Sequence, residues 1–210
     1  MKNIKKVFIL ALILVIGLSA TACGNKKPTL NVYNWGEYME PSVIKDFEKE
    51  FNVKVNYNTF ATNEDMYVSL KKGGTSYDLA FPSDYMIERM IEEDMLEKLD
   101  KNNIPNLNNI EERFLSLEYD PNDEYSAPYL WGTLGILYNK NMVDEKVDSW
   151  NILWDEKYSK KILMLDSQRD SIAVALKKLN YSMNSRDEKE LEAAKEELIK
   201  QKPLVYAYVG

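Results

Sequence analysis

The chain has 210 residues, 27 of them basic and 34 acidic, with a net charge of −7, one cysteine and no histidine. The lack of histidine removes the commonest general base and metal ligand, and neither a metal nor a cofactor is expected. The acidic balance argues against a nucleic-acid partner and is compatible with a cationic ligand. The length suits one large domain or two small lobes.

Residues 1–22 have the layout of a secretory signal peptide. Three lysines precede the apolar run 7–18, and small residues then lead to Cys23. The run is too short to span a bilayer comfortably. The sole cysteine, followed by a glycine, resembles the cleavage box of a bacterial lipoprotein; a secreted protein with a spare thiol is the alternative. With a lipid on Cys23, residues 23–29 become a tether, no thiol remains for disulfides or catalysis, and the net charge falls from −7 to −10.

The first strand of the mature chain is predicted over residues 30–34, whose alternation puts Leu30, Val32 and Asn34 on one face and Asn31 and Tyr33 on the other. The alternation stops at Gly36, which is flanked by Trp35, Glu37 and Tyr38, and a helical pattern begins at residue 41. A turn between a strand and a helix lies at the carboxyl edge of a sheet, where open α/β folds bind ligands. Two aromatic rings beside one carboxylate suit an organic cation. Ordinary packing aromatics beside a solvated acid remain the alternative.

The rest of the first half repeats this strand–helix order. A helix from residue 41 has an apolar face, a second strand follows at 53–57, and Thr62 with Asp65 resembles a capping box before the next helix. Gly73 and Gly74 end that helix, a short buried strand is predicted at 78–81, and Ser83 can cap a third helix. The order β-α-β-α-β-α predicts a parallel sheet with helices on both faces.

The second half begins with a polar stretch rich in Asn, Pro and Asp over 100–124 and an apolar, aromatic stretch over 125–138. The aromatic stretch is interpreted as extended chain with a bend that crosses into a second lobe. Further elements are predicted after it: a helix capped by Ser149, a strand at 161–165, a polar turn at 166–170, helices at 172–179 and 191–198, and a strand at 204–209.

These segments together resemble the polyamine-binding (spermidine/putrescine-binding) substrate-binding proteins of ABC importers. The resemblance runs from about residue 30 to the last residue and is carried by six motifs: 33–38, 63–67, 77–79, 82–85, 125–132 and 166–170. It implies the α/β, periplasmic-binding-protein-like two-lobe fold (type II), closing on its ligand as a hinge. It also implies the division 1–22 signal peptide, 23–29 lipidated cysteine and tether, 30–124 lobe 1, 125–138 crossover, and 139–210 partial lobe 2.

The resemblance also assigns ligand-binding residues, which are expected to be Trp35, Glu37, Tyr38, Ser83, Asp84, Tyr85, Asp166 and Asp170. The rings would flank the methylene chain and the carboxylates would pair with its amines. Two departures from the family pattern stand out. Ser167 takes a place where the family often has a second acid, and family members continue for well over a hundred further residues, so about the first half to two-thirds of such a protein is expected here.

The predicted function is therefore capture of a linear polyamine, spermidine or putrescine, for delivery to an ABC permease. The protein is expected to be a lipid-anchored monomer on the outer face of the cytoplasmic membrane or in the periplasm. One alternative is a binder of another small solute, such as a sugar, an amino acid or an iron complex. However, an anion binder should place Arg or Lys at the helix starts, whereas Glu37, Asp65 and Asp84 stand there. A glycoside hydrolase using paired carboxylates is the other alternative; no local acid/base pair supports it.

Overall fold

The structure, a computed structural model, describes residues 27–210. The predicted signal peptide and Cys23 lie outside the described residues. The chain forms two compact units, the first ending at Leu96 and the second spanning Glu97–Gly210.

The first unit is built on a three-stranded parallel sheet. Its strands are β1 (Thr29–Trp35), β2 (Lys54–Phe60) and β3 (Leu79–Ala80), in the order β2-β1-β3. The central strand β1 pairs with β2 along its whole length, from Thr29 opposite Lys54 to Trp35 opposite Phe60. The predicted parallel sheet is confirmed, and all three strands end at one edge.

Three helices connect and follow these strands: α1 (Pro41–Phe51), α2 (Asn63–Lys72) and α3 (Asp84–Glu92). Thr62 caps α2 through its hydroxyl, which accepts a hydrogen bond from the Asp65 amide at 3.1 Å, as the sequence predicted. Gly73 ends α2 with a φ of +70°, a conformation that costs glycine little.

The core of the first unit lies between the sheet and helices α2 and α3. Its buried members are Tyr33, Phe60, Met66, Tyr67, Met86 and Met90. Helix α1 is different, because Val43, Phe47 and Phe51 on its predicted apolar face are 53%, 39% and 57% exposed. The helix period was correct, but the described part of the first unit covers that stripe only in part.

The chain after Leu96 is irregular for about fifty residues. Three short 3-10 helices (Lys101–Asn103, Pro105–Asn109 and Glu112–Phe114) are followed by residues 125–138, which form neither helix nor strand. Residues 97–124 group with the second unit, whereas the sequence placed them in lobe 1, and the predicted lobe bounds stay a prediction. Within this stretch Asp120 is 4% exposed and accepts hydrogen bonds from the amides of residues 124, 125 and 126, which ties the end of the polar stretch to the start of the aromatic one.

The second unit contains a two-stranded parallel sheet of β4 (Ile162–Leu165) and β5 (Val205–Val209), with helices α4 (Gln168–Lys178) and α5 (Glu188–Gln201). The helix predicted after Ser149 is a 3-10 helix, Trp150–Trp154; five residues before Asp155 are too few for the three turns of an average α-helix. Two core clusters form around these elements: Tyr158, Ile162, Met164, Val174 and Val205 in one, and Ala175, Leu176 and Ala194 in the other. The predicted α/β class is confirmed.

Candidate functional site

Trp35 joins the ends of all three strands in the first unit. It is the last residue of β1, and its indole Nε1 donates a 2.8 Å hydrogen bond to the carbonyl oxygen of Phe81, just after β3. Its ring centroid lies 4.7 Å from that of Phe60, the last residue of β2. The predicted turn at the carboxyl edge of the sheet is therefore present, and Trp35 is held in it by both a hydrogen bond and packing.

Tyr38 continues this aromatic surface toward solvent. Its ring stacks on that of Trp35 with centroids 5.7 Å apart and planes 29° apart, and Tyr38 is 41% exposed. Glu37 is exposed on the same turn. An accessible phenol on a half-buried indole, next to a carboxylate, can attract an organic cation through both its π-faces and its charge.

Ser83 lies at the same edge and is fixed by Asn63. The Asn63 Oδ1 atom accepts from the Ser83 amide, and the Asn63 Nδ2 atom donates to the Ser83 hydroxyl, both at 3.0 Å. The expectation that Ser83 caps α3 with its side chain is wrong, because the helix start has no side-chain cap and the hydroxyl is turned toward Asn63 instead.

Tyr85 belongs to the same hydrogen-bond network. Its hydroxyl accepts from Asn63 Nδ2 at 3.0 Å and donates to Glu64 Oε1 at 3.1 Å. The neighbouring Asp84 is exposed, and its Oδ1 atom accepts from the Tyr85 amide at 2.7 Å. Asn63 and Glu64 thus organise this side of the edge. Residue-level reasoning missed both, although they stand in a motif that carries the family resemblance.

Asn34 is a further polar group at this edge that sequence reasoning placed only as a strand residue. It is completely buried. Its Oδ1 atom accepts from the Trp35 amide at 2.7 Å, while Nδ2 has no hydrogen-bond partner in the described part of the chain. The Asn34 contact ties the backbone at the end of β1 to a buried side chain.

In the second unit, Asp166 and Asp170 flank the start of α4. Asp166 follows β4, is exposed, and donates its amide to the Val209 carbonyl at 3.0 Å. Asp170 is half-buried in the first turn of α4, and its amide is capped by the Ser167 hydroxyl. A carboxylate in the first helical turn is stabilised by the helix dipole. The serine that departs from the family pattern is therefore the N-cap of this helix.

The pKa of Glu93, at the end of α3, is clearly shifted by its neighbours. Lys71 first, then the Tyr67 hydroxyl and Arg89, donate hydrogen bonds that lower the pKa of this carboxyl from 4.5 to about 2. The network joins α2 to α3 on the surface of the first unit. It fixes the two helices whose starts carry Asn63, Ser83 and Tyr85.

An open concavity of about 710 Å³ lies at the opposite, amino-terminal edge of the first sheet. It is lined by Lys27, Thr29, Lys45, Glu48, Lys49, Val53 and Lys54. Within residues 27–210 no cluster of three or more Cys, Asp or Glu side chains could hold a metal ion. In the same part of the chain, no helix has the length and apolar character to cross a membrane.

Comparison with known proteins gives a consistent result. The family model for bacterial extracellular solute-binding proteins matches residues 42–208. A spermidine/putrescine-binding periplasmic protein of Salmonella typhimurium is 42% identical over 198 residues, covering 93% of this chain and 56% of that protein.

Two solved structures extend the similarity to three dimensions. One is a spermidine/putrescine ABC transporter substrate-binding protein of Streptococcus pneumoniae, with a TM-score of 0.71 and 43% identity. The other is a lipoprotein of Treponema pallidum, with a TM-score of 0.81 and 36% identity. The match covers 87% of this chain in both cases, and 57% and 58% of those chains. The likeness confirms the predicted type II periplasmic-binding-protein-like fold, and the chain spans a little over half the length of these relatives.

Proposed function

The chain belongs to the family of bacterial extracellular solute-binding proteins, and from that premise we propose that it captures a linear polyamine for delivery to an ABC permease. The observation that carries this proposal is the pairing of accessible aromatic rings with carboxylates at the carboxyl edge of the first sheet. Relatives with 42% and 43% identity that bind spermidine or putrescine support the same substrate class.

An extended polycation loses strong hydration at each ammonium group when it is bound, and carboxylates spaced along it must compensate for that loss. The apolar methylenes between the ammonium groups are best covered by aromatic faces. In the first unit the proposal assigns the rings of Trp35, Tyr38 and Tyr85 to the methylenes, and Glu37 and Asp84 to the amines, with Ser83 as a hydrogen-bonding partner.

In the second unit the proposal assigns Asp166 and Asp170 to the amines. Both stand at the start of α4, where the backbone is fixed by the Ser167 cap and by the Asp166 amide bond to β5. Fixed carboxylates favour specificity by the spacing of charges along the ligand.

The protein is further proposed to act as a monomer anchored through a lipid on Cys23, with its folded part outside the cytoplasm. The signal-like layout of residues 1–22 supports this location, as does the similarity to a lipoprotein. A diacylglyceryl group supplies two acyl chains, which suffices for stable anchoring.

Isothermal titration of the full chain with spermidine, putrescine and 1,4-butanediol tests the proposal. Both amines should bind, whereas the diol, which has the four-carbon chain of putrescine without its charges, should not. Asp170→Asn and Glu37→Gln should each weaken binding, by about 2–5 kcal/mol where the charge pair is desolvated.

The matched controls Asp46→Asn and Glu50→Gln, both exposed on α1, should bind like the unmodified chain. No heat with either amine, or equal binding of the diol, would overturn the assignment to polyamines. Unchanged affinity in Asp170→Asn would show that the second-unit carboxylate is misplaced.

A further inference from the structure

The amino-terminal edge of the first sheet has the opposite charge to its carboxyl edge. Four exposed lysines, Lys27, Lys45, Lys49 and Lys54, line the open concavity described above. We call this set the basic edge. At the other end of the same strands stand the exposed acids Glu37, Glu40, Asp65 and Asp84.

The lysines of the basic edge are free to meet an external anion. None of the four forms an ion pair within residues 27–210, whereas Lys71, Lys98, Lys157, Lys178, Lys195 and Lys200 all do. Glu48 is the one acid that lines the concavity. Its Oε1 atom accepts a 2.7 Å hydrogen bond from the Val55 amide.

The concavity is also rigidly built, although its lysine heads are free. Lys45 and Lys49 are one turn apart on α1, so their side chains share a face. Lys54 begins β2, and its amide donates a 2.8 Å hydrogen bond to the carbonyl of Pro28, next to Lys27. The backbone thereby places four lysines from three segments around one opening.

The position of Lys27 decides which anion this surface meets. It lies four residues after Cys23, a separation that an extended chain spans in at most about 14 Å. If Cys23 carries a membrane lipid, as the proposed function holds, Lys27 cannot move far from the phospholipid headgroups. Charges this close to a surface are within about one to two Debye lengths of it at physiological salt.

We propose that the basic edge docks on the anionic phospholipid surface of the membrane that holds the anchor. This proposal rests on the lipid anchor of the proposed function and not on the polyamine site. Clustered lysines beside a lipid anchor strengthen membrane contact through anionic headgroups. The docked orientation points the carboxyl edge of the sheet away from the bilayer, because Thr29 and Trp35 are separated by about 20 Å of strand.

Amine labelling of the full chain on vesicles tests the docking. The chain is mixed with phosphatidylglycerol or phosphatidylcholine vesicles, the vesicles are floated, and lysines in the floated fraction are acetylated and quantified by mass spectrometry. On phosphatidylglycerol, labelling of Lys45, Lys49 and Lys54 should fall at least about threefold relative to phosphatidylcholine. Molar salt should reverse the protection, and inorganic phosphate at low ionic strength should not.

Three exposed lysines of the second unit, Lys140, Lys161 and Lys189, serve as internal controls and should label equally on both lipids. Equal labelling of the basic edge on both lipids would overturn the proposal, as would a chain that floats with neither vesicle. If the basic-edge lysines were protected to the same extent on phosphatidylcholine as on phosphatidylglycerol, the anchor alone would explain the protection. That result would also overturn docking through charge.

A charge-neutralising variant gives an independent readout. Lys45→Gln/Lys49→Gln/Lys54→Gln should remove the protection of Lys27, the remaining lysine of the basic edge, on phosphatidylglycerol relative to phosphatidylcholine, and the control Lys140→Gln/Lys161→Gln/Lys189→Gln should keep it. Circular dichroism establishes that both variants fold. A polyamine titration in solution does not involve these lysines, so failure of docking and failure of polyamine binding are separate results.

Discussion

Asn63 and Ser83 hold each other through two hydrogen bonds, each 3.0 Å long, between the first residue of α2 and the residue before α3. Asn63 also donates to the Tyr85 hydroxyl and is 4% exposed. A single amide therefore sets how two helices start at the carboxyl edge and where Tyr85 lies. Its role is positioning, since it presents its polar atoms to the protein.

Replacing this amide should destabilise the first unit. Asn63→Leu keeps the side-chain size but removes the Asn63 bonds to the Ser83 amide, the Ser83 hydroxyl and the Tyr85 hydroxyl. The part-buried Ser83 amide is then left without its acceptor, at a cost of about 2 kcal/mol. The loss is measured as a lower midpoint of urea unfolding, with the dependence of the unfolding free energy on urea concentration (the m-value) unchanged. The control Asn58→Leu removes one exposed hydrogen bond, to the Tyr77 hydroxyl, and should change stability by about 0.5 kcal/mol or less. Equal losses of stability in the two variants would show that the buried hydrogen bonds of Asn63 contribute no more than one exposed hydrogen bond.

The local periods in the sequence predicted the elements of the first unit well. Alternation over 30–34 and the helical spacing after Pro41 are properties of the segments themselves, and the strands and helices formed where those patterns lie. The Thr62 cap is equally local. The contact between Asn63 and Ser83 spans twenty residues and depends on how β2 and β3 flank β1, so no local pattern reveals it.

The second unit shows the same division between local and long-range signals. Strands β4 and β5 and helices α4 and α5 follow their apolar periods. Trp131, in the aromatic stretch 125–138, is 63% exposed and contacts Phe114 and Arg113. Asp120 orders the turn before residue 125 by accepting amides from residues four to six positions later, a contact that composition alone does not indicate.

The acid stability of the first unit should depend on Glu93. Its pKa is about 2 in the folded chain, below the ordinary 4.5. A lowered pKa contributes stability above pH 4.5 that is lost as the pH falls through 2. Glu93→Gln should therefore lower the melting temperature at pH 7 and flatten its decline between pH 4.5 and 2. Thermal melts across this range check it.

The control Glu92→Gln removes a neighbouring exposed acid that forms no ion pair within residues 27–210. In Glu92→Gln the melting temperature should fall between pH 4.5 and 2 as steeply as it does in the unmodified chain. A melting temperature that falls equally steeply in Glu93→Gln and in the unmodified chain would contradict the assignment.

Lys178 should stabilise the second unit through Glu197. The two form an ion pair with side chains only 16% and 13% exposed, and Lys178 lies 4.9 Å from the Trp154 ring centroid. Lys178→Met keeps the packing but leaves the half-buried carboxylate with Lys200 as its remaining cation. Because the pair is shielded from water, its loss should cost about 2–3 kcal/mol, somewhat less than for a fully buried pair.

The control for this prediction lies on α5, the helix that carries Glu197. Lys195 pairs with Glu192 at 2.8 Å in solvent, where water screens the charges, so Lys195→Met should leave stability almost unchanged. Urea midpoints of both variants give the comparison. A Lys178→Met loss no larger than that of Lys195→Met would mean that burial adds nothing to this pair.

Substitutions at Ser167 test stability and ligand binding separately at the start of α4. Its hydroxyl accepts the Asp170 amide, so Ser167→Ala should cost about 1 kcal/mol of stability. Aspartate is an equally good N-cap and also suits the helix dipole, so Ser167→Asp should keep the stability. It places a third carboxylate beside Asp166 and Asp170, where the family often has one.

If this turn contacts the amines of the ligand, Ser167→Asp should raise spermidine affinity. A partly exposed charge pair contributes about 1 kcal/mol or less, which corresponds to at most roughly a fivefold change in affinity. Calorimetry with spermidine measures the change. Ser185→Asp adds the same charge at another turn serine whose hydroxyl accepts a backbone amide, that of Asp187 at 3.2 Å, and it should leave affinity unchanged. An equal gain in both variants would show a general effect of net charge, and no gain in Ser167→Asp would place the ligand away from the start of α4.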